Sequence, residues 1–225
     1  MTLVPLGDQA VLAYLPDEAA AVRFAAAVRA AAPHWLEDVV PAYASVGVFF
    51  DADAVALDAV TDWLNAQDAR SPGTAVPGLS GATHTIPVCY EMAPDLPRVC
   101  AHTGLSADDV IRLHAGAAYT VYAVGFVPGF PYLGYLPPEL CGVARLPTPR
   151  LRVEAGSVGL TGRQTGLYPL PRPGGWNLVG RTPLVVVDVA DGFFPLRVGD
   201  AVRFERIDEK RFGELEGERL ASRPP

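Results

Sequence analysis

Lysine is almost absent: the 225 residues include 17 arginines and one lysine, Lys210. The imbalance itself reads as a composition bias, but it excludes chemistry. A phosphate-binding loop of the form G-x-x-x-x-G-K-[ST] needs a placed lysine, and so do Schiff-base enzymes, Ser-Lys amidases and biotinylated carriers. Lys210 stands in the charged segment DEKRF, with no such loop around it. Cysteine is scarce too. Cys89, Cys100 and Cys141 are odd in number and lack C-x-x-C spacing, which indicates neither a disulfide framework nor a zinc site. No apolar run approaches the roughly 20 residues of a membrane helix. The N-terminus has no basic region and meets Asp8 early, so it is not expected to be a secretory leader, and a cytoplasmic location is expected. No G-x-G, G-x-S-x-G or H-x-x-x-H occurs, which leaves a dinucleotide fingerprint, a hydrolase elbow and a histidine metal pair unsupported. The net charge of −7 argues against non-specific binding to nucleic acid or to an anionic membrane.

What is present is a chain that can build a core. Half the residues are hydrophobic and 19% are charged, and the length suits one large domain or two small ones. Residues 1–83 carry three Arg against ten Asp plus Glu, whereas residues 84–225 carry 15 charges of each sign. Only 11 of the 44 glycines and prolines precede residue 84. This shift predicts a small α+β domain over 1–83, a linker at about 71–82, and a second domain over 84–225. In the first part, Gln9–Leu15 reads as a strand and Asp17–Ala32 as a helix with Ala21, Phe24, Val28 and Ala31 on one face. Val39–Phe50 contains a strand, and Asp53–Gln67 reads as a second helix. The helices are expected on one side of a sheet.

The second part opens with a strand over Thr85–Tyr90. Two short helices follow, near Asp95–His102 and Ala107–Ala115, the latter with a capping box at Ser106 and Asp109. This pair has a helix-turn-helix look, but Asp108 and Asp109 would repel phosphates. From Tyr119 the texture is β, in YTVYAVGF, LRVEAGSVGL, GWNLVG, LVVVD and DAVRFERI, which predicts a closed or nearly closed barrel. The charged tail from Asp208 is expected to fray at Ser222–Pro225. Gly125–Pro183 is dense in glycine and proline, which let backbone approach a ligand and fix the loops presenting it. Phe126, Phe130, Tyr132, Tyr168 and Trp176 stand among these loops as candidate pocket walls. His114, with an ordinary pKa near 6.5, is the candidate for acid–base work, although a histidine ending a helix also serves as a simple cap. Arg150, Arg163 and Arg181 are candidate anion contacts, or plain surface ion pairs.

Six stretches carry a family resemblance: IPVCY (Ile86–Tyr90), GLSADDVIRLH (Gly104–His114), YTVYAVGFVPGFPYLG (Tyr119–Gly134), PR (Pro149–Arg150), AGSVGLTGRQTGLYP (Ala155–Pro169) and PGGWNLVGRTP (Pro173–Pro183). On these the chain resembles the KipI family, whose members are also called PxpB, the B subunit of 5-oxoprolinase, or allophanate hydrolase subunit 1. GDQA (Gly7–Ala10) and VPAYASVGVFFD (Val40–Asp51) extend a weaker match. Glu154 departs from the proline usual before AGSVG, and the segment between Tyr90 and Pro94 is shorter than usual. The resemblance implies a mainly β, cyclophilin-like barrel domain after a small α+β domain. It also implies two partners, the C subunit (the allophanate hydrolase subunit 2 homologue) and the A subunit of 5-oxoprolinase. With these, such proteins open 5-oxoproline to glutamate at the expense of ATP.

A lactam is a poor electrophile, so ATP must activate its carbonyl oxygen before water attacks. On this reading His114 handles protons, Arg150 and Arg181 contact anions, and Gln164, Thr165 and Tyr168 orient a small lactam or amide, with Phe126, Phe130 and Tyr132 beside them. No metal site is expected, and no ATP site is evident on this chain. Two alternatives share the motifs. One is a KipI-like inhibitor of a sensor histidine kinase. The other is a carboxyltransferase-type component acting on urea or a related amide, which would need a biotin carrier elsewhere.

Overall fold

Residues 1–70 and 81–221 are described by a computed structural model, which divides into two units, Met1–Ser80 and Gly81–Pro225. All but the last two residues of the expected linker at 71–82 lie outside the described residues. In the first unit the order is β1 (Thr2–Pro5), β2 (Ala10–Tyr14), α1 (Glu18–Ala31), β3 (Leu36–Ala42), β4 (Ser45–Phe50) and α2 (Leu57–Arg70). The four strands form one antiparallel sheet in the order β1-β2-β4-β3. Asp17 caps α1 by accepting from the amide of Ala20 at 2.7 Å, which satisfies one of the free donors of a helix start. Ala21, Phe24, Ala25 and Val28 of α1 pack with Val60 and Leu64 of α2 over Val11, Ala13, Val46, Val48 and Phe50 of the sheet. The strand expected within Val39–Phe50 is a hairpin of two, turning at Tyr43 with φ 54°. The second helix starts later than expected, because Asp51 accepts from the amide of Asp53 at 2.9 Å and holds a turn before it.

The second unit follows the order β5 (Thr83–Cys89), α3 (Leu96–Thr103), α4 (Ala107–Gly116), β6 (Ala118–Val124), β7 (Pro131–Gly134), β8 (Arg150–Val153), β9 (Ser157–Thr161), β10 (Gln164–Leu167), β11 (Arg172–Gly174), β12 (Asn177–Arg181), β13 (Ala201–Ile207) and α5 (Glu209–Leu215). Seven strands close a barrel in the order β10-β7-β6-β13-β5-β12-β9. The β5–β13 pair is parallel and the others are antiparallel. Strands β8 and β11 pair apart from it as a two-stranded arm. Period-two alternation sends Ile86, Val88, Tyr119, Val121, Val202 and Phe204 into the interior. An α+β sheet followed by a β-barrel is therefore the architecture.

Two expectations need correction. LVVVD is not a strand: Val185 and Asp188 make isolated bridges only, since a closed barrel offers no free edge for another strand. Conversely, PYLG and QTGL, read as loop for their Gly and Pro, are the barrel strands β7 and β10, where neighbouring ladders override weak propensity. The charged tail opens with a helix, α5, which Asp208 caps at the amide of Arg211 (2.7 Å) and which buries Phe212. Ser222–Pro225 lie outside the described residues. The pair α3–α4 turns at Gly104, whose φ of 74° is left-handed. Ser106 caps α4 as expected, accepting from the amide of Asp109 at 3.1 Å and donating to its carboxylate at 2.7 Å. Among the described residues no helix is long and apolar enough to cross a membrane.

Candidate functional site

His114 does not face a pocket. It ends α4 with 0% exposure, stacked on Phe204 at 4.8 Å between ring centres. Its Nδ1 lies 2.8 Å from the Tyr90 hydroxyl and its Nε2 lies 2.9 Å from Thr165 Oγ1. Thr165 Oγ1 donates onward to the carbonyl of Gly159 at 3.1 Å. Every group is satisfied when Nε2 carries the proton, Thr165 accepts it and the Tyr90 hydroxyl donates to Nδ1. Burial holds this imidazole neutral and lowers its pKa from 6.5 to about 3. The expected proton-handling residue is thus a strut inside the barrel, joining α4 to β10. Its position at a helix end was legible; the closing of the barrel over it was not.

The aromatic residues do meet. Phe130 is the hub of a box, with ring centres 5.6 Å from Phe126, 4.9 Å from Tyr132, 5.2 Å from Tyr168 and 5.6 Å from Trp176. The rings stand at 62–90° to one another, the edge-to-face geometry that aromatic pairs favour. Phe130, Tyr168 and Trp176 are buried, whereas Phe126, with φ 67°, is 60% exposed. They line a cavity of about 300 Å³ with Arg145, Pro149, Pro173, Gly174 and Gly175. Burial raises the Tyr132 and Tyr168 hydroxyl pKa values, against a smaller lowering by Arg145, so both remain donors at neutral pH.

Glycines make the box possible in a way the sequence did not suggest. At two positions they admit rings. A Cβ on Gly166 would lie 2.9 Å from the Trp176 ring and 3.0 Å from that of Phe130. One on Gly174 would collide with the Tyr168 hydroxyl. Gly166 is also the register partner of Tyr132 across β10 and β7, so the Thr165–His114 strut fixes the strand behind the box.

The other expected site residues lie apart. Arg150 is not a free anion contact: its Nη2 pairs with Asp95 Oδ1 at 2.6 Å, and its Nη1 is buried without a hydrogen-bond partner. The second oxygen of Asp95 accepts from the amide of Leu178 at 2.7 Å, so this carboxylate ties β8 and β12 to the start of α3. Arg181 donates from Nε to the carbonyl of Ala155 at 3.1 Å and lies over the Phe212 ring at 5.7 Å. It lines a different cavity, of about 280 Å³. Arg163 stacks on Tyr135 at 4.2 Å. Gln164 pairs within β10 opposite Gly134 and Thr161, and Thr165 is inside the barrel. Glu154, the departure from the family pattern, is exposed and paired with Arg152 at 2.7 Å. Arg145, which borders the box, was not a candidate in the sequence, where it is one arginine of many.

A larger cavity of about 580 Å³ is lined by His84, Glu205, Arg211, Glu218 and Arg219 among others. Its charges are largely engaged: His84 with Asp200, Arg211 with Glu214, and Arg219 with Asp188 and Asp191. The aromatic box, with ring faces and a single unpaired charge among its lining residues, is the better candidate for a ligand site. Among the described residues no three His, Cys, Asp or Glu side chains cluster to hold a metal.

Comparison with known proteins gives a consistent set. Residues 1–192 match the carboxyltransferase domain family, subdomains C and D. The B subunit of 5-oxoprolinase from Escherichia coli O157:H7 is 54% identical over 122 residues, which are 53% of this chain and 56% of that protein. Its counterpart from Bacillus subtilis (strain 168), also a 5-oxoprolinase B subunit, is 46% identical over 132 residues, 56% of this chain and 54% of that protein. The crystal structure of TTHA0988 superposes with a TM-score of 0.76 at 37% identity, over 89% of this chain and 40% of that one. The chain thus spans about half the length of the curated relatives it matches.

Proposed function

The chain belongs to the carboxyltransferase domain family, subdomains C and D, and from that premise we propose that it serves as the B subunit of an ATP-dependent 5-oxoprolinase. In this reading it works with the C and A subunits to open 5-oxoproline to glutamate. Homology to the B subunits of two 5-oxoprolinases supports the reading. The structural observation that carries it is the aromatic box. Its roughly 300 Å³ is at the small end for a ligand site, as a five-membered lactam requires. Phe126, Phe130, Tyr132 and Tyr168 hold the ring by its faces, and the two phenols donate to its polar edge.

The remaining residues act through the box. His114 and Thr165 position β10, and Arg150 positions β8 through Asp95. Arg181 and Gln164 stand outside the ring site. ATP does not fit this cavity, which has one cation for the several charges of a triphosphate. In this reading the activation step belongs to the partners. This chain's own part is to bind the lactam, shield it from water and orient its carbonyl.

The test is Phe126→Ala in the assembled complex. Phe126 is exposed, so its loss removes a wall without opening the core. The expected result is a KM for 5-oxoproline raised about fivefold with kcat little changed, the sign of lost ring binding. An unchanged KM would overturn the assignment of the box. The family description also favours a second reading, a carboxyltransferase component acting on urea or a related amide. That reading predicts amide-dependent turnover only when a biotin carrier is supplied.

A further inference from the structure

We propose that the aromatic box recognises a small ring bearing a carboxylate, and that Arg145 is the residue that selects the carboxylate. The inference rests on the oxoprolinase reading above and deepens it, since it names what the site discriminates. Of the ten residues lining the cavity, Arg145 is the only charged one; no Asp or Glu is among them. Arg145 is exposed, and no hydrogen bond or ion pair holds it among the described residues. Its neighbours in the arm are committed: Arg150 to Asp95 and Arg152 to Glu154. An uncommitted guanidinium at the rim of a box of rings has one natural complement, an anion attached to a flat or apolar body.

A carboxylate suits it best, because the planar fork of a guanidinium takes both oxygens at once. The ring would then lie among Phe126, Phe130, Tyr132 and Tyr168, beside Trp176. Arg145 lines the cavity together with both phenols and opposes part of the pKa rise that burial gives them. A cationic ligand has no partner here. A neutral ring keeps the stacking and loses the anchor.

Three probes and one variant decide the matter. Binding to the full chain would be followed by calorimetry for 5-oxoproline, for 2-pyrrolidinone (the lactam without the carboxylate) and for cyclopentanecarboxylate (the carboxylate without the lactam). Both carboxylates are expected to bind about tenfold or more tighter than 2-pyrrolidinone, the worth of one charge-assisted contact. In Arg145→Gln the two carboxylates should weaken to the level of 2-pyrrolidinone, whose own affinity should not move. Equal affinity for 5-oxoproline and 2-pyrrolidinone, unaltered affinities in Arg145→Gln, or no binding of any probe would each overturn the inference. The two proposals fail separately. Arg145-dependent binding of cyclopentanecarboxylate, with no lactam opening by the complex, keeps this inference and discards the oxoprolinase. Lactam opening with an unchanged KM in Arg145→Gln does the reverse.

Discussion

Held neutral by burial, with its pKa lowered from 6.5 to about 3, His114 makes the fold sensitive to acid. The unfolded chain takes up a proton near pH 6.5 that the folded barrel refuses until about pH 3. Stability from this group is therefore complete above pH 6.5 and lost as the pH falls toward 3. The slope is at most about 1.4 kcal/mol per pH unit. Urea unfolding at several pH values should show it. In His114→Phe, which keeps the stack on Phe204, the slope should flatten by that amount, while stability at neutral pH falls because Tyr90 and Thr165 lose their partner. Parallel pH curves for the two proteins would contradict the account. At this scale the sequence was legible in part. Phe126, Phe130, Tyr132 and Tyr168 could be picked out because rings among glycines and prolines mark a shaped loop region. Arg145 could not, since it lies just outside the long motifs and its freedom from partners exists only in three dimensions. His114 could be read either way until the barrel closed around it.

The elements that hold the box are short, and their tethers matter more than their propensities. Asp95 caps α3 by position and spends its carboxylate on Arg150 of β8 and the amide of Leu178 in β12. Asp95→Ala removes both contacts and strands a partly buried guanidinium, with an expected loss of about 2–3 kcal/mol, measurable as a shift of the urea midpoint with an unchanged slope. A loss within error of zero would mean that the arm of β8 and β11 is held by something else. The helices were legible because α1, α3 and α4 carry their periodicity and caps in the sequence. Strands β7 and β10 were not, because PYLG and QTGL have no strand signal of their own and gain one from the ladders on either side. LVVVD failed in the opposite direction: its strand-like composition is spent on burying Val186 and Val187 beside a barrel already closed.

For the whole molecule, the scarcity of lysine, the acidic first part and the division into an α+β unit and a barrel all follow from composition. The family follows from long motifs and from homology, and the oxoprolinase role is proposed on that basis. The described residues hold a small aromatic box of about 300 Å³ with one cation at its rim, which we propose takes one ring and one carboxylate. The measurement that tests this most directly is 5-oxoproline-dependent ATP hydrolysis and glutamate release by the chain co-expressed with the C and A subunits, against the same preparation lacking it. Turnover that requires this chain is the predicted result. Equal turnover without it, or none from a fully assembled complex, would contradict the account.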